Sequence, residues 1–133
     1  MLFIGTHNSS RSQMAEGLVR SLFPPGMNVS SAGASPGSEI NPHAVKVMQE
    51  IGIDISRQRP KPLSDVPLGT IDTVITVCAE PGCTVPPGGL VQHHWALDDP
   101  EAVKGSEEEI TGAFRKARDE LKIRLEGLLE AAK

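Results

Sequence analysis

The sequence has 133 residues, a mass of 14.2 kDa and a formal net charge of −4. The length predicts one domain over residues 1–133, with a hydrophobic core large enough to be stable without disulfides or a structural metal. The mixed distribution of its Lys, Arg, Asp and Glu residues argues against nucleic acid or an anionic membrane as a partner. No apolar run approaches the ~20 residues of a membrane span, and the first predicted strand follows Met1 directly, so we expect a cytoplasmic protein, and a monomer.

Hydrophobic periodicity and turn residues predict an alternation of strands and helices. A Gln or Glu three residues after a Ser is the spacing of a capping box, which predicts helix starts at Ser10 and Ser106. Asn41 before Pro42 predicts the start of the middle helix. Residues 56–69 have little periodicity, which indicates irregular structure with one helical turn. The predicted strands are residues 1–4, 29–32, 71–77 and 91–96.

Residues 5–12, with the sequence GTHNSSRS, connect the first predicted strand to the first predicted helix. In such a loop the backbone N–H groups and the positive end of the helix dipole can hold a tetrahedral oxyanion. Arg11 adds a permanent cation whose planar fork suits two oxygens at once. Asn8 and Ser9 are suited to hold the loop's shape through hydrogen bonds to its backbone. The alternative is an ordinary strand-to-helix turn, since Gly, Asn and Ser are common turn residues.

The alternation of strands and helices predicts a parallel α/β sheet. Ligands bind to such sheets at the carboxyl ends of the strands, where the strand order reverses. Gly5, Cys78 and Asp99 each follow the end of a predicted strand. The pattern therefore predicts that these three positions face one site.

The segment from Ile4 to Gly17, IGTHNSSRSQMAEG, resembles the signature of the thioredoxin-coupled arsenate reductases, which have the low-molecular-weight tyrosine phosphatase fold. This resemblance extends over nearly the whole chain. It implies a three-layer α/β sandwich with a four-stranded parallel sheet, in the order 2-1-3-4, flanked by helices. The family's loop reads Cys, five residues, Arg, Ser. Counting back from Arg11 puts the family's nucleophilic cysteine at Gly5.

The resemblance also assigns roles outside the loop. Asp99 stands directly before Pro100, where the family has its general acid, and Asp98 is the weaker candidate. The alternative is that these aspartates only cap a turn. Cys78 and Cys83 resemble the two resolving cysteines of the reductases, which tyrosine phosphatases do not need, with a short spacer of four residues between them. The family's oxyanion-binding loop corresponds here to Thr6, His7, Asn8, Ser9, Ser10, Arg11 and Ser12.

The resemblance implies reduction of arsenate to arsenite by a thiol/disulfide relay that thioredoxin recycles, with phosphate and sulfate as related ligands. Gly5 cannot supply the nucleophilic thiol, so we expect the chain as written to be inactive. One alternative, which Gly5 favours, is an oxyanion-binding module without turnover. Another is a low-molecular-weight tyrosine phosphatase, which would need the same missing thiol.

No bound cofactor is implied. Glu16 and Ser31 match positions that bind potassium in some relatives, but Lys61 stands where an acidic ligand is expected, so its ammonium group is predicted to replace the ion. A zinc site is a different interpretation of the thiols and imidazoles. Adjacent histidines in a strand point to opposite faces, so at most one of them could join the thiols. The residues concerned are Cys78, Cys83, His93 and His94.

Overall fold

Four short strands form one parallel sheet in the part of the chain that the computed structural model describes, residues 1–79 and 91–131. Along the chain they are β1 (Leu2–Gly5), β2 (Ser30–Gly33), β3 (Thr73–Thr76) and β4 (Val91–His94). Their order across the sheet is β2-β1-β3-β4, which confirms the predicted order. Because every pairing is parallel, the carboxyl ends of the strands lie together at one end of the sheet.

The strands differ in extent from the prediction. β1 and β2 each begin and end one residue later than predicted. As a result β1 includes Gly5, which pairs with Gly33 at the end of β2. β3 is shorter than the predicted 71–77, although the N–H of Val77 still donates to the Ile4 carbonyl at 2.9 Å. Gly5 is therefore the last residue of a paired strand, and the loop proper begins at Thr6.

Three α-helices flank the sheet: α1 (Arg11–Leu22), α2 (Pro42–Gln49) and α3 (Glu107–Ala131). The remaining helical turns are short 3-10 helices at Leu63–Asp65, Leu68–Thr70 and Pro100–Ala102. Two of them fall within or overlap the segment predicted to be irregular. None of the helices formed by the described residues is long and apolar enough to span a bilayer.

Two of the three predicted helix caps are confirmed. The Asn41 side chain accepts from the N–H of His43, with Pro42 at the first helical position. Ser106 and Glu109 form the predicted capping box, in which the N–H of Glu109 donates to Ser106 Oγ at 3.1 Å and the N–H of Ser106 donates to Glu109 Oε1 at 3.3 Å. These caps involve residues two or three positions apart, so the local sequence is enough to specify them.

The predicted capping box at Ser10 is wrong, although α1 does begin after this residue. Ser10 makes no side-chain cap hydrogen bond. Its hydroxyl donates to Glu101 Oε2 at 2.6 Å instead. The amide of Gln13 donates to the Asn8 carbonyl at 3.1 Å and to the Arg59 carbonyl at 2.9 Å. Both side chains make other hydrogen bonds, so they do not form the predicted capping box.

The sheet has a separate apolar layer on each face. On one face Phe3 and Ile75 pack against the three α-helices. On the other face Leu2, Ile4 and Val74 are covered by a smaller cluster that the 3-10 turns supply: Leu63, Val66 and Ile71. The side chains of successive strand residues therefore alternate between two cores, as expected for a sheet covered on both faces.

A charged cluster joins α2 to α3. Arg118 is 8% exposed, and its Nη1 donates to the Val47 carbonyl at 2.7 Å and to Glu50 Oε1 at 2.8 Å. Arg115 donates to the other oxygen of the same carboxylate from Nη2 at 2.7 Å. The hydrogen bond from Arg115, reinforced by Arg118, lowers the pKa of Glu50 to about 2.

We expect Glu50→Gln to destabilise the protein at neutral pH and to reduce the fall in melting temperature as the pH is lowered. The folded-state pKa of Glu50 is about 2 against an ordinary 4.5, so its contribution to stability is complete above pH 4.5 and declines as the pH falls toward 2. Melting temperatures between pH 7 and pH 2 test this. The stability difference between the two proteins should close as the pH falls, whereas Glu126→Gln, at an exposed position of α3, should leave the fall in melting temperature unchanged.

Candidate active site

The loop between β1 and α1 is held by the side-chain amide of Asn8. This residue is 2% exposed and has a φ of 53°, in the left-handed region that asparagine tolerates better than most residues. Its Nδ2 donates to Ser12 Oγ at 2.8 Å. Its Oδ1 accepts from Gln13 Nε2 at 3.0 Å and from the backbone N–H of Lys61 at 3.0 Å. The amide thus ties the loop both to the first turn of α1 and to a distant segment. The predicted hydrogen bonds from Asn8 and Ser9 to the loop's own backbone are not the ones formed, and the Ser9 hydroxyl donates to Glu101 Oε2.

The carbonyl groups of the loop point toward residues 34–41. The carbonyls of Gly5, Thr6, His7 and Ser9 accept hydrogen bonds from the N–H groups of residues 34, 35, 37 and 41, at 2.8–3.3 Å. In a trans peptide the N–H of the next residue points the opposite way from the carbonyl. The N–H groups of residues 6, 7, 8 and 10 are therefore directed away from that segment, which is the arrangement an anion loop requires.

Gly33, at the end of β2, lies directly against the loop. A Cβ atom at this position would be 2.9 Å from the backbone nitrogen of Asn8 and 2.9 Å from the carbonyl carbon of His7. Neither backbone atom can move without distorting the loop, so a glycine is required here.

The structure brings the side chains of Arg11 and Asp99 close to each other. Arg11 is 5% exposed, and its Nη1 donates to the Leu97 carbonyl at 2.8 Å. Its Nη2 lies 3.9 Å from Asp99 Oδ1. The same Asp99 oxygen accepts from the N–H of Glu101 at 2.9 Å, so Asp99 does cap the 3-10 turn that follows it. Asp98, the weaker candidate, is exposed.

The backbone at Gly5 is not in the left-handed region, so a residue with a side chain can take its place. A Cβ atom there would lie 3.1 Å from Ser12 Oγ and 3.9 Å from Val77 Cγ2. The first contact is tight, but it is made with the end of a side chain that can shift by a few tenths of an ångström. A side chain at position 5 would therefore start beside the Ser12 hydroxyl.

The sulfur groups are only partly described. Cys78 is fully buried just after β3 and is disulfide-bonded, and the described residues include no free thiol. Cys83 lies outside the described residues.

His93 lines a cavity with Met1 and Asp72, while His94 is hydrogen-bonded through Nδ1 to the Thr76 hydroxyl. Within residues 1–79 and 91–131 no group of three or more potential ligands could hold a metal ion, so the zinc interpretation gains no support there.

Glu16 is a buried carboxylate with cations against it. Its Oε1 accepts from Ser31 Oγ at 2.9 Å and lies 3.8 Å from the ammonium of Lys61. Its Oε2 accepts from Arg20 Nη2 at 3.2 Å. The ammonium of Lys61 thus stands at the Glu16 carboxylate, where the resemblance led us to expect it.

Glu101 belongs to the site but was missed by sequence reasoning. Its Oε2 accepts from Ser9 Oγ at 2.5 Å and from Ser10 Oγ at 2.6 Å, and its Oε1 accepts from Asn41 Nδ2 at 3.3 Å. Burial raises the pKa of this carboxyl, but the hydrogen bonds from Ser10, Ser9 and Asn41 outweigh burial and leave the pKa below its ordinary value. The available signal was its position two residues after Asp99, which gives no reason to expect contact with the loop.

Comparisons with known proteins agree with this geometry. The sequence model of the family described as low molecular weight phosphotyrosine protein phosphatase matches residues 1–133. The arsenate reductase of Bacillus subtilis (strain 168) is 39% identical over 133 residues, covering 98% of this chain and 95% of that protein. The chain belongs to the arsenate reductases of this family.

Solved arsenate reductases have the same fold. An arsenate reductase in the phosphate binding state superimposes with a TM-score of 0.84 and 31% identity, covering 99% of this chain and 97% of that chain. The thioredoxin-dependent arsenate reductase of Corynebacterium glutamicum gives a TM-score of 0.70 and 30% identity, and the match covers 98% of this chain and 61% of that longer one. The predicted fold class and family resemblance are thereby confirmed.

We expect Gly33→Ala to destabilise the protein by about 1–3 kcal/mol, because the added methyl group overpacks against the loop backbone. Chemical denaturation measures the change. Gly127→Ala is the matched control, since a Cβ there meets nothing within 4 Å; inside α3 it should stabilise by roughly 0.5–1 kcal/mol. Equal effects of the two substitutions would contradict the close approach of Gly33 to the loop.

Proposed function

We propose that this protein has the site of an arsenate reductase, in which the loop of residues 5–12 binds arsenate and a cysteine relay recycled by thioredoxin reduces it to arsenite, provided that a thiol stands at position 5. The observation that carries the proposal is the meeting of Arg11 and Asp99 beside the loop, with Nη2 and Oδ1 3.9 Å apart. The phosphate binding state of one solved relative supports the ligand class, and the thioredoxin dependence of another supports the partner.

Binding is the task of the loop and Arg11. The N–H groups directed away from residues 34–41 donate to the oxygens of a tetrahedral oxyanion, and the guanidinium adds charge-assisted hydrogen bonds. Arsenate, phosphate and sulfate share this shape. The residues proposed to bind the oxyanion are residues 6–12.

The reaction divides into balanced steps. A thiolate at position 5 displaces a hydroxyl group from the arsenic of arsenate, and Asp99 gives its proton to that hydroxyl, which leaves as water. The Cys78 thiolate then attacks the sulfur at position 5. A disulfide forms while the electron pair of the sulfur–arsenic bond stays on arsenic, which is reduced from As(V) to As(III) and leaves as arsenite. Cys83 next attacks Cys78, and thioredoxin supplies two electrons to reduce the Cys78–Cys83 disulfide.

Gly5 blocks the first step of this cycle. Glycine has no nucleophile, and the hydroxyls of the loop, on Thr6, Ser9 and Ser10, cannot enter a disulfide relay. We therefore expect the chain as written to bind oxyanions without reducing them. Since a Cβ at position 5 would start 3.1 Å from Ser12 Oγ, a cysteine thiol introduced there would have a hydroxyl donor beside it.

The second candidate is an oxyanion-binding module without turnover, and the glycine at position 5 is the observation that favours it. A tyrosine phosphatase activity has less support, because it needs the same thiol and gives no role to Cys78 and Cys83. Neither candidate requires a bound cofactor. We expect no dependence on potassium, since the ammonium of Lys61 stands at Glu16. A relay that depends on thioredoxin suits the cytoplasm.

We expect Gly5→Cys to create thioredoxin-coupled arsenate reduction, measured as NADPH consumption with thioredoxin, thioredoxin reductase and arsenate. Loss of a nucleophile that acts with its partners costs on the order of a million-fold, so the chain as written should show no turnover. Gly5→Ser is the matched control, with the same Cβ and a hydroxyl that cannot form a disulfide.

Substitutions of the relay residues should then impair the reaction cycle at different steps. In the Gly5→Cys background, Cys78→Ser should stop arsenite release, Cys83→Ser should stop recycling by thioredoxin, and Asp99→Asn should slow the attack on arsenate. If Gly5→Cys binds arsenate but consumes no NADPH, the reductase proposal fails and the binding module takes its place.

We expect the chain as written to bind sulfate and phosphate, and Arg11→Lys to weaken this binding on the order of tenfold, because an ammonium cannot replace the bidentate fork. Calorimetric titration measures both affinities. Arg124→Lys, at an exposed position of α3, is the control for a general change of charge type. Equal affinity in all three proteins would argue against the loop as the binding site.

A further inference from the structure

The carboxylate of Glu101 lies against the oxyanion loop from the side of the Pro100–Ala102 turn. A single oxygen, Oε2, accepts from the hydroxyls of both Ser9 and Ser10, at 2.5 and 2.6 Å. The other oxygen accepts from Asn41 Nδ2 at 3.3 Å. Donors of the loop that could serve a bound oxyanion are thus engaged by an anionic group of the protein itself.

The space left in the loop is small while Glu101 is in this position. The cavity lined by residues 5–12 and Glu101 has a volume of about 10 Å³. That volume accommodates about one water molecule. Glu101 lines this cavity together with the loop, so an oxyanion held by the loop would lie beside its carboxylate.

The negative charge of Glu101 also opposes the binding of an anionic ligand. Hydrogen bonds from three side chains stabilise the ionised carboxylate, so it carries a full negative charge at neutral pH. An oxyanion in the loop would lie next to that charge. Coulomb repulsion is proportional to the charge of the ligand, so a dianion is penalised twice as much in free energy as a monoanion of the same shape.

We propose that Glu101 is a specificity-determining residue of the oxyanion site: its carboxylate competes for the Ser9 and Ser10 hydroxyls and selects against dianions in favour of monoanions of the same shape. This inference rests on the proposed function of the loop as an oxyanion site. Arg11 and the backbone N–H groups attract a dianion more strongly than a monoanion, and the carboxylate of Glu101 opposes that preference.

Sulfate and perchlorate are suitable probes, because both are tetrahedral and they carry two charges and one charge respectively. Their affinities are measured by calorimetric titration at pH 7 and constant ionic strength. The proteins are the chain as written, Glu101→Gln, Glu101→Ala and Glu126→Gln. The last removes one negative charge at an exposed position in the second half of α3, and is expected to change neither affinity.

Glu101→Gln keeps the size of the side chain and removes its charge. We expect it to tighten sulfate binding by about tenfold and perchlorate binding by about threefold, since the logarithm of the change should scale with ligand charge. Glu101→Ala should show the same ordering of the two anions. Glu101→Ala replaces Glu101→Gln as the test variant if the glutamine variant does not fold. Circular dichroism verifies the fold of each protein.

Other results would overturn the inference. No change in Glu101→Gln, with equal tightening of both anions in Glu101→Ala, would make the side chain a steric obstacle without charge selection. Weaker binding in both variants would make it a positioning residue for the loop. If no protein of the set binds either anion, the proposed function fails and the inference with it; binding by the chain as written without a charge-dependent change overturns only the role of Glu101.

Discussion

The amide of Asn8 is the contact on which the rest of the site depends. It is buried, it holds a left-handed backbone, and it joins the loop to Ser12, to Gln13 and to the backbone of Lys61. A buried amide left without partners would cost about 1–3 kcal/mol, so the conformation that satisfies it is strongly favoured. The loop is therefore shaped by the protein before any ligand binds, which is the condition for electrostatic preorganisation.

The surrounding chain completes that preorganisation. N–H groups of residues 34–41 donate to the carbonyl groups of the loop, and Gly33 allows the backbones of β2 and the loop to approach closely. On the other side, the guanidinium of Arg11 is fixed by the Leu97 carbonyl within reach of Asp99. The loop with its cation and the acid thus come from two parts of the chain, which meet because the strands that precede them are parallel and end at the same edge of the sheet.

The charges around the loop oppose one another. Arg11 and the backbone N–H groups attract an anion, whereas Asp99 and Glu101 place carboxylates near the same space. Glu16 is neutralised within its own cluster by Lys61 and Arg20. Since the attraction to the loop and the repulsion from the carboxylates both scale with ligand charge, the balance between them would set which charge state of a tetrahedral anion the site prefers.

The sequence by itself determined the features that depend on neighbouring residues: the caps at Asn41 and Ser106, the alternation that makes the sheet parallel, and the loop with Arg11. Only the tertiary structure decided that Ser10 bonds to Glu101, 91 positions away. A capping box spans four residues and forms whenever nothing competes. The partner of Ser10 depends on how the segment after β4 packs over the loop, and a charged acceptor outcompetes the local cap.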